Sequence, residues 1–315
     1  MSARHDPVLV AEVLSYLPQG PGLYLDATLG DGGHAAALLE AEPGARLLGC
    51  DRDRDALGAA AERLRGYGSR VNLAHATFRE LPDAHRRAGG EPLAGALFDL
   101  GMSSRQLDDP ARGMSFQTEG PLDLRMDRSR GMPAAERLRA TGADELEALL
   151  RGLGDVPHAG RVARAIVGAA RDGRLETTRD LVAAVDRAGA GPRHPRRDAR
   201  VFQALRMWIN DERAELEAAL AWLPDALRPG AVVVTLAYHS GEDRIIKRAL
   251  RGAAGETPPG LARRARRLPD ISERRPPEGP WDELTHGVVT PTHAETVRNP
   301  RARSARLRAF RRKPR

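Results

Sequence analysis

Residues 26–35 read DATLGDGGHA, and this stretch predicts the fold of the chain. Gly30, Gly32 and Ala35 occupy the first, third and sixth positions of the G-x-G-x-x-G/A loop that joins a strand to a helix in dinucleotide-binding domains. An acid, Asp51, follows about twenty residues later, as it does in those domains. The spacing predicts that the backbone approaches a ligand closely at the end of the first strand, but the glycines alone do not identify that ligand.

Two carboxylates distinguish this loop from a dinucleotide site. Asp26 ends the predicted strand, and Asp31 interrupts the glycines. The helix that begins near His34 offers backbone N–H groups that suit a phosphate, but the neighbouring carboxylates would repel a pyrophosphate. S-adenosylmethionine has no phosphate and carries a sulfonium and an ammonium group. The acids therefore favour S-adenosylmethionine as the cofactor.

The amino-terminal part of the chain alternates short apolar runs with helical patterns. Helices are predicted between successive strands, at 34–42, 55–65 and 82–88, and the strands themselves are predicted at 23–27, 46–50, 71–76 and 93–100. This alternation is typical of a doubly wound parallel sheet, and it predicts an α/β fold.

Residues 104–200 show no clear strand pattern. Helical patterns at 143–153, 159–171 and 178–188 indicate an inserted helical domain. The α/β pattern then resumes, with a helix predicted at 201–227, a strand at 231–238 and a strand within 283–289. A further helix is predicted to begin at Ser240, which would form a capping box with Asp243. We therefore expect a core made of 1–103 and 201–297, a helical insertion at 104–200, and a basic carboxyl-terminal tail at 298–315.

The charge of the chain is predominantly positive, with a net charge of +7. Basic residues cluster within 193–200, within 263–267 and, with no acid among them, within 298–315. One such cluster is usually a solvated face, but three clusters together favour a polyanionic partner such as RNA.

The remaining composition bears on the compartment and on metals. The first residues, MSARHDP, lack the apolar stretch of a signal peptide, and the longest apolar run, Ala231–Ala237, is too short to cross a bilayer. The single cysteine, Cys50, excludes an internal disulfide, and the scattered histidines do not pair with it at metal-ligand spacing. We expect a cytoplasmic protein with no membrane contact and no metal, and the sequence leaves the oligomeric state open.

Three further residues follow the predicted strands. Asp51 can accept hydrogen bonds from both ribose hydroxyls of NAD or of S-adenosylmethionine. Phe78 can pack against an adenine or belong to the core, and Asp99 can face the reactive end of the cofactor or cap a turn. Because the carboxyl ends of parallel strands meet at one edge of the sheet, these residues and the glycine loop predict a single site.

These residues resemble the bacterial 16S ribosomal RNA cytosine-N4 methyltransferases, the RsmH (MraW) family. The resemblance extends over nearly the whole chain. It lies in HDPVLVAEVL (5–14), DATLGDGGH (26–34), DRD (51–53), ATFRE (76–80), DLGMSSRQLDD (99–109), RGMSFQTEGPLDLRMD (112–127), FQALRMWINDE (202–212), YHSGEDRIIKR (238–248) and NPRARSARLR (299–308). Gly241 stands where the family more often has leucine, and Met102 where valine is commoner; both departures concern local packing.

The resemblance implies a class I S-adenosylmethionine-dependent methyltransferase core of Rossmann-like topology, with an inserted helical domain that recognises the substrate. It implies methylation of N4 of a cytidine in the decoding centre of 16S ribosomal RNA, in the P-site region, either as free RNA or within the 30S subunit. The cofactor contacts that it implies are Gly32, Gly33, His34, Asp51, Phe78, Asp99 and Gln106.

The chemistry of that reaction points to three catalytic candidates. The exocyclic amine of cytosine is a poor nucleophile, so an enzyme must hold its N–H groups and align its lone pair with the methyl group. Asp99 and the turn at 100–104 are predicted to form that edge of the site. Tyr238 and His239 can stack on or hydrogen-bond the unstacked base, although a structural role is the alternative for His239. The charged residues of 120–127 form either a mutually paired loop or a substrate clamp.

Two other functions are compatible with parts of the sequence. A nicotinamide-dependent oxidoreductase would explain the glycine spacing, but Asp31 and the basic clusters argue against it. A non-catalytic RNA-binding protein on a methyltransferase scaffold would explain the basic clusters. The intact acids at the predicted cofactor positions argue against that second alternative.

Overall fold

The structure is a computed structural model, and it describes residues 7–17, 20–189, 195–251 and 279–314. The predicted basic cluster within 263–267 lies outside these residues. The chain divides into two compact units: Met1–Gly101 together with Ala214–Arg315 form the first, and Met102–Arg213 form the second. The insertion therefore ends later than predicted, because it includes the first half of the predicted helix at 201–227.

The first unit contains a seven-stranded sheet in the order β3-β2-β1-β4-β5-β7-β6. The strands are β1 (Gly22–Asp26), β2 (Ala45–Asp51), β3 (Val71–His75), β4 (Leu93–Asp99), β5 (Leu227–Ala237), β6 (Trp281–Glu283) and β7 (Arg306–Arg312). Strands β1 to β5 are parallel, and β7 runs antiparallel to both β5 and β6. The strand order reverses between β1 and β4, and α/β sheets bind their ligands beyond the carboxyl ends at such a switch point.

The helices include those predicted at 34–42, 55–65, 82–88, 143–153, 159–171 and 178–188, each within one residue of its predicted ends. They are α1 (Val10–Tyr16), α2 (Gly33–Ala41), α3 (Arg54–Leu64), α4 (Leu81–Arg87), α5 (Ser104–Asp108), α6 (Ala134–Arg139), α7 (Ala143–Gly154), α8 (Ala159–Arg171), α9 (Thr178–Arg187), α10 (Pro195–Ile209), α11 (Glu212–Ala226), α12 (Ser240–Arg251) and α13 (His293–Arg298). Among the described residues, none of these helices has the length and apolar character needed to cross a membrane.

Both faces of the sheet are covered by apolar side chains. Alternate residues of the central strands pack into different layers: Phe98 and Val233 belong to one cluster, whereas Leu97 and Val234 belong to the other. A strand buried on both faces must be apolar at nearly every position, which explains the continuous runs seen in the sequence.

The predicted long helix at 201–227 is wrong, because the chain turns between α10 and α11. Asp211 adopts a left-handed conformation with φ 49°. The Asn210 side chain donates to the Leu124 carbonyl (2.7 Å) and accepts from the Met126 N–H (2.8 Å). These tertiary hydrogen bonds stabilise the turn between α10 and α11. The apolar spacing continues on both sides of the turn and therefore does not predict it.

The predicted basic tail at 298–315 is also wrong in its last part. Strand β7 lies inside the sheet, between β5 and β6. Arg308 is buried, and its guanidinium donates to Asp243 (2.6 Å) and to Glu283 (3.0 Å). The predicted strand within 283–289 is wrong apart from its first residue, because β6 spans Trp281–Glu283 and Val289 forms only an isolated bridge with Leu307. An arginine-rich segment can therefore be a buried strand when carboxylates face it.

Candidate active site

The glycine loop after β1 is fixed by contacts with the end of β2. The Gly30 N–H donates to Oδ2 of Asp51 (2.8 Å), and the Gly32 N–H returns to the Leu29 carbonyl (2.8 Å). Gly32 has φ 75°, and a Cβ there would lie 3.3 Å from the Leu64 side chain. Both the backbone conformation and the close packing favour glycine at this position.

Asp51 organises two backbone segments at once. Its Oδ2 accepts from Gly30, and its Oδ1 accepts from the Asp53 N–H (2.8 Å). Burial raises the pKa of Asp51 to about 6, against the opposing effect of these two hydrogen bonds. The carboxylate is therefore ionised at neutral pH. Each oxygen retains a second lone pair, so Asp51 can still accept the two hydroxyls of a ribose.

Asp26, at the end of β1, is held inside the loop. Its side chain is buried, and Oδ1 accepts from the Thr28 N–H (3.2 Å). Burial raises the pKa of Asp26 to about 8, so this carboxyl is mostly protonated at neutral pH. A protonated Asp26 would contribute no negative charge to ligand selection, so the role expected of its charge stays a prediction. Asp26 is a structural part of the loop, and the ionised Asp51 supplies charge beside it.

Asp99 ends β4 and is held through both its side chain and its backbone. Oδ1 accepts from the Tyr238 hydroxyl (2.8 Å), and Oδ2 lies 3.8 Å from Nδ1 of His34. The Asp99 N–H donates to the Thr28 hydroxyl (2.6 Å). The Asp99 side chain is 24% exposed, whereas that of His34 is only 8% exposed. The structure thus presents an oriented and partly accessible carboxylate.

The two neighbours of Asp99 are themselves constrained. Nε2 of His34 lies 2.8 Å from the Val8 carbonyl, which can only accept a hydrogen bond, so Nε2 carries a proton. Burial, together with the Asp99 charge, raises the pKa of Tyr238 far above its ordinary value, and the phenol remains a donor. Gly101 leaves room for this ring, because a Cβ there would lie 2.9 Å from it.

His239 caps α12. Its Nδ1 accepts from the backbone N–H groups of Gly241 (3.2 Å) and Glu242 (3.4 Å), and its Nε2 lies 3.1 Å from a Glu242 oxygen. This cap replaces the predicted Ser240–Asp243 box, because the Asp243 carboxylate binds Arg308 instead. A Cβ on Gly241 would lie 3.0 Å from Nδ1 of His239, so glycine rather than leucine suits this ring. A contact between His239 and a substrate base stays a prediction.

Phe78 and Gln106 both have structural contacts. Phe78 is half-buried, and its ring packs edge-to-face on Phe98 with centroids 5.5 Å apart. Gln106 belongs to the second unit, where its side-chain oxygen accepts from the Ser103 N–H (3.1 Å) in the capping box of α5. The cofactor contacts predicted for both residues stay predictions.

The loop at 120–127 is mutually paired. Arg125 donates to both oxygens of Asp123 (2.6 and 2.9 Å), and Arg128 approaches the same carboxylate (3.6 Å). Asp127 accepts from the backbone and hydroxyl of Ser129 (2.9 and 2.6 Å). These contacts favour the structural interpretation, and the substrate clamp stays a prediction.

The first unit thus brings together the ends of β1, β2, β4 and β5. Of the predicted residues it unites the glycine loop, His34, Asp51, Asp99 and Tyr238. Sequence reasoning missed Thr28, whose hydroxyl joins the ends of β1 and β4, because a threonine after a strand carries no particular signal. In the described part of the chain, no group of three or more His, Cys, Asp or Glu side chains could hold a metal ion.

Comparison with known proteins identifies the family. The profile of the MraW methylase family matches residues 2–313. The chain belongs to this family. It is 45% identical over 313 residues to ribosomal RNA small subunit methyltransferase H of Sorangium cellulosum, covering 98% of this chain and 91% of that protein. It is 42% identical over 316 residues to the protein of the same name from Thermomicrobium roseum, covering 98% and 94%. A solved rRNA methylase from Streptococcus thermophilus aligns with a TM-score of 0.39 and 12% identity, covering 97% and 94%.

Membership establishes that the chain is a methyltransferase that uses S-adenosylmethionine, on the α/β fold predicted for it. The residues at the switch point fit this cofactor. The glycines of the loop let its backbone approach a ligand closely, and the half-buried Asp51 offers acceptor lone pairs suited to a ribose. Membership in a methylase family, and not this geometry, rejects the nicotinamide-dependent oxidoreductase.

Replacing Asp51 tests its place in the cofactor site. In Asp51→Asn, an amide nitrogen replaces one acceptor oxygen. This nitrogen is a donor, so it cannot accept the hydrogen bond from the N–H of Gly30 or Asp53 that it faces. We expect the affinity for S-adenosylmethionine, measured by isothermal titration calorimetry, to fall at least about tenfold, as for a lost charged hydrogen bond.

The control is Asp55→Asn, which removes the same charge from an exposed position one turn further on. In the unaltered protein, affinity should also decline as the pH falls through about 6, because protonation of Asp51 removes an acceptor. Equal affinities for the two variants, or binding independent of pH between about 7 and 5, would contradict this assignment.

Proposed function

We propose that this protein transfers a methyl group from S-adenosylmethionine to N4 of a cytidine in the decoding centre of 16S ribosomal RNA. The observation that carries the proposal is the oriented carboxylate of Asp99, at the end of the strand next to the glycine loop. The relatives named as ribosomal RNA small subunit methyltransferases support RNA of the 30S subunit as the substrate. We accordingly infer that the protein acts in the cytoplasm.

The chemistry requires an acceptor for the proton of the amine. Bound S-adenosylmethionine supplies a methyl group on a positively charged sulfur. As the bond from N4 to carbon forms and the bond from carbon to sulfur breaks, N4 becomes cationic and must lose a proton. The Asp99 carboxylate can first hold an N4–H group and then accept that proton. The hydrogen bond from Tyr238 fixes which lone pairs of Asp99 face the substrate.

An RNA substrate also needs cationic side chains that are not already neutralised. Helix α8 contains no acid and exposes Arg161, Arg164 and Arg171 along one ridge. These arginines span about 15 Å of helix and form no ion pair with another described residue. In the predicted cluster at 193–200, Arg193 lies outside the described residues, and Arg197 is buried against Asp186 and Asp198 and is therefore not available to RNA. We propose that the α8 ridge contacts the RNA backbone.

Mass spectrometry of 16S ribosomal RNA fragments tests the reaction. Fragments from cells that lack the gene should lose one methyl group from a decoding-centre cytidine, and purified protein with S-adenosylmethionine should restore it on 30S particles from those cells. N4-methylation should be identified by comparison of the released nucleoside with a synthetic standard. Absence of methyl incorporation into naked RNA, 30S particles and assembly intermediates would favour the non-catalytic scaffold.

Neutralising the α8 ridge tests its contact with RNA. The variant with Arg161, Arg164 and Arg171 all changed to Gln should bind RNA more weakly. The slope of the logarithm of its binding constant against the logarithm of the salt concentration should become less steep by about 0.7 to 0.9 for each phosphate contact that is lost. The matched control changes Arg139, Arg151 and Arg174 to Gln, because these exposed arginines already pair with Glu176, Glu147 and Asp172. Equal salt slopes for the two variants would exclude the ridge.

A further inference from the structure

The segment at 7–9 has no part in the chemistry above, yet it touches the site. Pro7 packs on Gly33 so closely that a Cβ on Gly33 would lie 2.9 Å from the Pro7 ring. The Val8 carbonyl accepts from Nε2 of His34 (2.8 Å). The Leu9 N–H donates to Oε1 of Glu295 (2.7 Å), a residue near the other end of the chain. The segment at 7–9 therefore contacts both the glycine loop and α13.

One peptide group makes two of these contacts. The Val8 carbonyl and the Leu9 N–H belong to the same trans peptide unit, so they point in opposite directions. Glu295 holds one end of this unit and His34 lies at the other. Leu9 has φ 54° and ψ 39°, a conformation that is unfavourable for a residue with a Cβ and that its surroundings must maintain.

The Glu295 carboxylate is directed away from its own helix. The Glu295 N–H donates to the hydroxyl of Thr292, the N-cap of α13 (3.1 Å). A glutamate at this position ordinarily turns back to the N–H of the N-cap and completes a capping box. Here its side chain instead reaches the Leu9 N–H. Stabilisation of α13 alone therefore does not account for this orientation.

We propose that Glu295 is a positioning residue for methyl transfer, acting through the Val8–Leu9 peptide and His34 on Asp99. The carboxylate fixes the peptide and polarises it, so the Val8 carbonyl becomes a stronger acceptor for Nε2 of His34. That hydrogen bond sets the His34 ring so that Nδ1 faces the Asp99 carboxylate at 3.8 Å. This inference rests on the proposed assignment of His34 and Asp99 to the site.

A double-mutant cycle between His34 and Glu295 tests the connection. The full-length variants Glu295→Ala, Glu295→Gln, His34→Ala and His34→Ala/Glu295→Ala are compared by single-turnover methyl transfer to 30S particles at saturating S-adenosylmethionine. Glu295→Ala should be slower by about tenfold or more, as for a small misplacement of reacting groups. Glu295→Gln should lose only about two- to threefold, because its amide oxygen still accepts from Leu9. The double variant should be no slower than His34→Ala alone.

Thr292→Ala is the control, because it weakens the cap of α13 without removing the contact with Leu9. It should lower the melting temperature while leaving the single-turnover rate within about twofold of the unaltered protein. If the rate losses of His34→Ala and Glu295→Ala multiply in the double variant, or if Thr292→Ala is as slow as Glu295→Ala, the positioning role is overturned. The proposed assignment of His34 and Asp99 to the site would not be affected by either result. An unchanged rate in His34→Ala would overturn the site assignment and the positioning role with it.

Discussion

The geometry of the site depends on the constraint placed on one carboxylate, that of Asp99. Tyr238 donates to one oxygen, His34 faces the other, and Thr28 holds the backbone from the end of β1. These three partners come from different elements of the first unit, so the carboxylate can be oriented only after the sheet has formed. The parallel order of β1, β4 and β5 is what brings their carboxyl ends to a single place.

The three acids that follow β1, β2 and β4 show how burial assigns different roles to one residue type. Asp26 is buried, its pKa is about 8, and it holds the loop as a mostly neutral group. Asp51 has a pKa of about 6 and remains ionised while it accepts two backbone N–H groups. Asp99 keeps an exposed fraction and can meet a substrate. The charge that each acid presents therefore depends on how it is buried and hydrogen-bonded, and the number of acids near the loop does not give that charge.

The sequence predicts the parts of the fold that depend on local pattern. The strands before residue 100 and the helices between them follow from apolar runs and helical spacing, and the glycine loop follows from its motif. The break at Asn210 and the buried strand at Arg306–Arg312 could not be predicted, because each depends on partners distant in sequence, such as Leu124 for one and Asp243 for the other. For the same reason, nothing in the local sequence around Glu295 indicates its contact with Leu9.

Asp99→Asn tests the central claim most directly, with cofactor affinity measured separately from the chemical step. Asparagine keeps an oxygen for the Tyr238 hydroxyl but cannot take a proton from N4. We expect the affinity for S-adenosylmethionine to change by less than about threefold, and the single-turnover rate at saturating cofactor to fall by about a hundredfold or more. Loss of cofactor binding with an unchanged single-turnover rate would contradict the account, because Asp99 would then hold the cofactor without taking part in methyl transfer.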